Sequence, residues 1–453
     1  MQKKKINLVS LGCSKNTVDS ESLAGKLIQE GFSVEFNMEE PSFDFVIINT
    51  CGFIDKAKEE SINTILEFIN LRKQENKDFK IIVYGCLAQR YKEELQQEVP
   101  EIDLLCGIMA DKEIIKYIGD LTFDIGYKNS DNQNIKNPIP NIKCQISNVT
   151  RPLSGAKHYA YIKISEGCDR RCSFCAIPLI KGKHISRPIE EIVKEANALI
   201  KQGVKEIILI AQDTSYYGLD LYGKRRLYDL LKELCKTDIH WIRLQYSYPN
   251  QFPVEILDLM NQEKKICRYL DMPLQHINNR ILDSMNRNIT SAEIISLINN
   301  VRARVKDIAF RTTLIVGYPT ETKQEFNELK NFVKDIKFDR MGAFTYSKEE
   351  GTKAAELNDN ITDKEKQRRL DELTQIQQEI SFELNQNKIG KTFETLIDRK
   401  EGEYFIGRTQ YDSPEVDNEV LIPVKGNPNI KTGEFYNIKI TDSSDFDLYG
   451  NIQ

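Results

Sequence analysis

Histidine is scarce in this sequence: His158, His184, His240 and His276 are the four among 453 residues. No nucleophile–base pattern accompanies them, so hydrolysis by an activated Ser or Cys has little to stand on. Long apolar runs are also missing. None approaches the roughly 18 to 20 residues that a membrane span requires, and the opening MQKKKINLVSLGC reads as a basic tail entering a strand, not a signal peptide. Positive charge is not in excess: 63 Lys and Arg stand against 68 Asp and Glu, a net of −5. That balance argues against a chain whose main business is coating nucleic acid, although a local basic patch is compatible with it. The expectation is a cytoplasmic protein with no membrane partner.

What is present is ordinary in bulk, with 40% hydrophobic and 29% charged residues, as in globular proteins generally. The length favours two or three domains, each able to bury its own core. Ten cysteines without a secretory leader point to metal or catalytic thiols more than to disulfides.

Three organisations follow one another along the chain. Residues 1–127 repeat a short apolar strand and an amphipathic helix: KINLVSLGC before DSESLAGKLIQEGF, FDFVIINTC before KEESINTILEFINL, KIIVYGCLA before QRYKEELQQEV, then IDLLCGI. Strands alternating with helices predict an α/β domain with a doubly wound parallel sheet. Residues 128–151 are rich in Asn, Pro and Ser without periodicity and read as a linker. Residues 152–387 carry six β-rich runs separated by helical patterns (HYAYIKISEG, VKEIILIAQD, HWIRLQYSYP, CRYLDMPLQH, IAFRTTLIVGYP, FDRMGAFTYS), which predict a full or partial (βα) barrel ending near Leu357. A long connecting helix follows, with Thr362 and Glu365 at capping-box spacing and a stripe of Leu370, Leu373, Ile380 and Leu384. Residues 388–453 switch to short strands broken by Gly, Pro, Asp and Asn, the pattern of a small five-stranded, OB-like antiparallel barrel.

The sharpest local signal is Cys168, Cys172 and Cys175 in EGCDRRCSFCAIP, a C-x3-C-x2-C run directly after the first barrel strand. Three thiolates can hold three irons of a 4Fe-4S cluster and leave the fourth iron open to a ligand. In βα barrels the loops that follow the strands build the active face. A structural zinc site is the rival reading, and it wants a fourth Cys or His at zinc spacing that is missing nearby. A second set, Cys13 in SLGCSKN, Cys51 in NTCGF and Cys86 in YGCLA, is dispersed. Each cysteine closes a different predicted strand beside a glycine, so all three fall on the carboxyl edge of one parallel sheet, where open α/β folds bind ligands. These are candidates for a second cluster with its own open iron. Cys106, Cys144, Cys235 and Cys267 read instead as small buried hydrophobes.

The cysteine run and its surroundings resemble the radical S-adenosylmethionine (SAM) superfamily, and the two sets together resemble the methylthiotransferases within it over essentially the whole chain. That resemblance implies that SAM chelates the open iron of the barrel cluster and is cleaved by an electron from it to a 5'-deoxyadenosyl radical. It places Phe174 near the adenine, Gln212 and Asp213 at the methionine part of SAM, and Gly317 and Glu321 on a later SAM-contacting strand. By residue type alone, Gly317 is a turn residue and Glu321 a solvated helix start. It makes the last domain a TRAM domain. SLGCSKNTVDSE, YIKISEGC, IAQDTSYYG, LDMPLQH, RTTLIVGYPTET, YSKEEGT and GRTQYDSPEVD are most similar to the branch that adds a methylthio group to the β-carbon of an aspartate in the small-subunit ribosomal protein numbered twelve. The sister branch modifies an adenosine in transfer RNA.

Charge offers a test of that choice. From Lys388 to Gln453 there are eight Lys and Arg against twelve Asp and Glu, and an acidic domain suits a basic protein partner better than phosphates; a solvated acidic surface with no partner is the alternative. The resemblance implies two 4Fe-4S clusters, two uses of SAM, an external electron donor and a sulfur donor. In the scheme it implies, one SAM methylates a sulfur held at Cys13, Cys51 and Cys86, the radical made from another abstracts a hydrogen from the aspartate β-carbon, and the resulting carbon radical couples with the methylated sulfur. Arg187 could pair with a carboxylate or form a plain salt bridge, and His276 fits a structural hydrogen bond or a catalytic role. A non-catalytic iron–sulfur electron carrier or sensor is the reading from another class.

Overall fold

The computed structural model describes residues 3–38, 42–126, 151–427 and 429–453. The expected linker therefore lies outside the described residues except for Arg151, and so does Cys144. The chain forms two compact units, one of the residues up to Gly155 with Leu179–Lys181, the other of Ala156–Pro178 and Gly182–Gln453.

The first unit runs β1 (Lys5–Ser10), α1 (Ser14–Gln29), β2 (Ser33–Phe36), β3 (Phe45–Thr50), α2 (Asp55–Gln74), β4 (Lys80–Gly85), α3 (Cys86–Arg90), α4 (Lys92–Glu98), β5 (Leu104–Leu105) and α5 (Asp111–Gly126). All its strands pair in parallel in the order β2-β1-β3-β4-β5. The doubly wound sheet is as the alternation predicted, with β2 an edge strand the apolar pattern does not announce. Every residue of β3 is buried, because helices cover both faces of a parallel sheet. Leu8, Leu23, Leu27, Ile47, Ile114 and Ile118 fill one face, and Val46, Ile48, Ile65, Ile69 and Val83 the other. The segment 89–99, expected as one helix, is two, broken at Tyr91 where the backbone leaves helical dihedrals.

The second unit contains β6 (Tyr159–Lys163), β7 (Ser165–Glu166), α6 (Ile177–Lys181, shared between units), β8 (Ile185–Ser186), α7 (Ile189–Lys201), β9 (Glu206–Ile210), α8 (Leu219–Tyr222), α9 (Leu227–Cys235), β10 (Trp241–Leu244), α10 (Glu255–Gln262), β11 (Tyr269–Asp271), α11 (Asn279–Ser284), α12 (Ser291–Arg304), β12 (Ala309–Val316), α13 (Lys323–Ile336) and β13 (Arg340–Thr345). The six expected barrel runs are β6 and β9 to β13. They pair in parallel as β10-β9-β6 and β11-β12-β13, and a parallel bridge from Ile242 to Ile266 ties the two groups. The two-residue ladder β7–β8, Glu166 opposite Ile185, was invisible in the sequence, since so short a strand has no periodicity.

Helix α14 (Asp363–Gln386) is the expected connector, with Leu373 and Ile380 buried. Its capping box is half formed: Thr362 accepts from the Glu365 amide, while the Glu365 carboxylate turns to Arg368 and Arg369. Strands β14 (Thr392–Glu401), β15 (Tyr404–Thr409), β16 (Val420–Pro423), β17 (Phe435–Ser443) and β18 (Leu448–Ile452) close a five-stranded barrel. A chain of buried ion pairs joins this barrel to the βα strands: Arg243 to Glu206 at 2.7 Å, Arg408 to Glu206 and Asp398, Arg311 to Asp417 at 3.2 Å, and Arg340 to Asp412.

Candidate active site

Strand register decides where the dispersed cysteines emerge. Ser10 lies opposite Asn49, and Thr50 opposite Gly85, so β1, β3 and β4 end at one level and Cys13, Cys51 and Cys86 follow from one edge. The chain leaves β1 towards β2 and leaves β3 towards β4, on opposite sides. Cys13 and Cys51 therefore flank the point where strand order reverses, which is where such sheets open a crevice.

Local backbone keeps the three sulfurs available. Cys13 is the N-cap of α1 and makes no side-chain capping bond, and Cys86 is the first residue of α3. Cys51 is fixed through its backbone, whose amide donates to Ser61 Oγ at 3.0 Å and whose carbonyl accepts from it at 3.0 Å. Gly12, at φ +87°, has no Cβ because one would lie 2.6 Å from Cys51 Cβ; Gly85, at φ +108°, leaves room for the Asn49 amide and the Thr50 carbonyl.

The edge is laced by side chains that sequence reasoning passed over. Asn16 Nδ2 donates to the Leu11 and Thr50 carbonyls at 2.9 and 3.2 Å. Asn49 Nδ2 donates to the Asn16 carbonyl and to Ser20 Oγ, each at 3.0 Å. The only hint was their place in SKN and NTC beside the cysteines. Burial pushes the Cys51 thiol up and the Cys86 thiol up to about 12, and negative charge on the neighbouring cysteines acts in the same direction. Thiols raised in this way, as at Cys51 and Cys86, need a cation beside them to be held as thiolates.

In the second unit the C-x3-C-x2-C run follows β6, inside the loop that β7 and β8 tie at its base. Gly167, at φ +70°, sits where a Cβ would meet the Lys183 carbonyl at 2.0 Å. Cys168 Sγ accepts from the Arg170 amide at 3.4 Å, and Cys172 Sγ from Arg287 Nη1 at 3.4 Å. Burial pushes Cys168 and Cys175 to about 12. Among the described residues, no three His, Cys, Asp or Glu converge on one point as ligands of a single ion would. A cluster makes no such demand, because each thiolate takes a different iron.

The remaining expected site residues all follow strand ends of the same barrel. Phe174 packs with Ile315 against Ile281, Met285, Tyr318 and Tyr346. Gln212 is half-buried, and Asp213 is buried with Arg170 Nε at 2.8 Å and Ser215 Oγ at 2.6 Å. Gly317, at φ +69°, donates its amide to Glu321 Oε2. Glu321 is wholly buried and also receives Arg369 at 3.0 Å and His276 Nε2 at 3.3 Å. His276 Nδ1 accepts the Asn278 amide at 3.0 Å, which leaves the ring proton on Nε2 to donate to Glu321. His276 is thus hydrogen-bonded through both ring nitrogens. Arg187 pairs with Glu195 at 2.7 Å and donates to the Lys163 carbonyl. Cys106 and Cys267 are buried, as their reading as small hydrophobes expects, and Cys235 is half-buried.

Comparison with known proteins gives the chain three matches in order: the Uncharacterized protein family UPF0004 over residues 5–107, the Radical SAM superfamily over 162–333 and the TRAM domain over 389–452. A ribosomal protein uS12 methylthiotransferase RimO of Flavobacterium johnsoniae is 49% identical across 99% of this chain and 98% of its own length. Another of that name from Phocaeicola vulgatus is 48% identical across the whole of both chains. Among solved structures, the radical SAM methyltransferase TsrM of Kitasatospora setae, with cobalamin and a [4Fe-4S] cluster bound, aligns with a TM-score of 0.54 at 15% identity, over 89% of this chain and 81% of that one. The last likeness is one of fold.

Proposed function

This chain belongs to the RimO family of ribosomal protein uS12 methylthiotransferases, and from that premise we propose how its residues divide the work. It is a radical SAM methylthiotransferase whose substrate is ribosomal protein uS12, and its cofactors are SAM and iron–sulfur. The finer reading is methylthiolation of an aspartate β-carbon, with two 4Fe-4S clusters, in a cytoplasmic enzyme supplied by an external electron donor and a sulfur donor. The domains follow as residues 1–127 for sulfur delivery, 152–387 for SAM cleavage and 388–453 for the TRAM domain, with 128–151 as the linker. No helix among the described residues is long and apolar enough to cross a membrane.

Cys168, Cys172 and Cys175 hold the barrel cluster in this reading, and Cys13, Cys51 and Cys86 hold the other. When bound, an incompletely ligated cluster supplies the electron that cleaves SAM, chemistry that an unactivated C–H bond demands and that no general base here could perform. The protein supplies geometry. Phe174 offers a ring face to the adenine, and Gln212 with the Arg170-paired Asp213 sits at the methionine part. Glu321 acts through Gly317, fixing the turn whose backbone approaches SAM.

The observation that carries the sulfur half is the common edge from which Cys13, Cys51 and Cys86 leave β1, β3 and β4. The acidic TRAM domain supports a basic ribosomal protein over an RNA partner. Anaerobically reconstituted protein, given SAM and reductant with either uS12 or transfer RNA, tests the reading by mass spectrometry. A methylthio gain on uS12 alone is expected; a gain on transfer RNA alone overturns the substrate.

A further inference from the structure

Tyr248, in the loop after β10, lies between two guanidinium groups. Arg170 and Arg287 are each 4.1 Å from its ring centroid. Their charges are met differently. Arg170 pairs with the Asp213 carboxylate at 2.8 Å. Arg287, 3% exposed, directs Nη1 to Cys172 Sγ at 3.4 Å and Nη2 to the Pro273 carbonyl, and its Nε is buried without a hydrogen bond. The Tyr248 hydroxyl donates to the Arg287 carbonyl at 2.9 Å and stands 3.9 Å from the same sulfur. A buried cation with no carboxylate hydrogen-bonded to it is costly unless another anion compensates it; Asp213 acts on Arg287 only at a distance, and the sulfur of Cys172 is the group its guanidinium touches.

Nor is the donor free to wander. The turn that carries Arg287 grips the cysteine loop: Ser173 donates its amide to the Met285 carbonyl at 3.0 Å and its hydroxyl to the Ser284 carbonyl at 2.7 Å, while Asn286 Nδ2 donates to the Arg171 carbonyl at 2.6 Å. Hydrogen bonds and positive charge at a ligating sulfur are the protein's levers on a cluster's reduction potential. An added electron makes the cluster more negative, and a fixed cation beside one of its sulfurs stabilises that state.

Resting on the reading of Cys168, Cys172 and Cys175 as ligands, we infer that Arg287 is a positioning residue that raises the barrel cluster's reduction potential through Cys172, easing the one-electron uptake from an external reductant. Arg170 turns its guanidinium to Asp213 and hydrogen-bonds a cysteine of the run, Cys168, only through its backbone amide.

The test is an EPR-monitored potentiometric titration with dithionite of reconstituted full-length chain. Cys13, Cys51 and Cys86 are replaced by Ala so that one cluster gives the signal, and iron is counted in every sample. Arg287→Gln is expected to lower the reduction equilibrium at least tenfold, about 59 mV more negative for one electron; Arg287→Lys, which keeps charge but not the fork, is expected to shift less in the same direction. Potentials equal to the parent's in iron-replete variants overturn the inference. If Arg287→Gln alone fails to load iron, Arg287→Lys decides; loss of iron from both makes Arg287 a scaffold only and overturns it as well. An iron-free parent would sink the ligand reading itself, a different result from a full cluster with an unmoved potential.

Discussion

Thr50 and Gly85 face each other at the last pair of the β3–β4 ladder, so Cys51 and Cys86 leave adjacent strands at the same height. One residue of slip would separate them by about 3.3 Å along the strand and turn one to the opposite face. The meeting of these cysteines at one edge, on which the proposed sulfur-delivery site rests, is therefore a consequence of register.

Replacing Cys13, Cys51 and Cys86 together by Ala should halve the iron of the reconstituted protein, from about eight to about four per chain. Formation of 5'-deoxyadenosine from SAM should persist while methylthio transfer to uS12 is lost. Iron analysis with product mass spectrometry checks this, and an unchanged iron content would count against the second site.

Gly85→Ala should act on the same half alone. A Cβ there would sit 2.5 Å from Asn49 Oδ1 and 2.6 Å from the Thr50 carbonyl, at a φ of +108°. Strain of about 1–3 kcal/mol is expected, measured by urea denaturation, together with weaker iron loading at the sheet edge. SAM cleavage by the barrel should be spared.

Asp412→Ala should loosen the TRAM domain from the βα barrel. The carboxylate lies buried against Arg340, and the Arg340 guanidinium would remain buried without it, keeping a hydrogen bond to the Asp339 carbonyl. Breaking one side of a buried pair costs about 3–5 kcal/mol, far more than a surface change. Denaturant titration should record the loss, and a change under about 1 kcal/mol would contradict the pair's importance.

Protons report on the barrel cysteines. In iron-free protein, burial holds Cys168 and Cys175 near 12 against an ordinary 9.0, so the folded state binds these protons more tightly than the unfolded one. The stability they contribute is complete below pH 9.0 and is lost as pH rises from there through about 12. A variant with both cysteines changed to Ala should lose less stability over that alkaline window. Metal loading near neutral pH should release about three protons per trio, measurable with an indicator dye.

The alternation of strands and helices was legible because apolar period and turn chemistry are local. KINLVS, FVIINT and KIIVYG each became a strand, and the cysteines after them could be assigned to one edge from chain order alone. Other features could not be read this way. Asn16 and Asn49 matter only because two strand ends lie side by side, and the β7–β8 ladder is too short to leave a pattern. Glu321 reads as a solvated helix start, yet it is buried under His276, Arg369 and the Gly317 amide, since its partners come from residues 45 and 48 positions away.

By itself the sequence determined the identities and order of the two cysteine trios, the strand-helix rhythm that puts each after a strand, and the acidity of the last domain. Residue type and spacing along the chain are sufficient for those. Only the tertiary structure decided which cation faces which anion. Arg170 and Arg287 flank one tyrosine ring and are alike in composition, but one meets a carboxylate and the other a cysteine sulfur. That difference arises from non-local packing of loops after separate strands, and no local pattern encodes it.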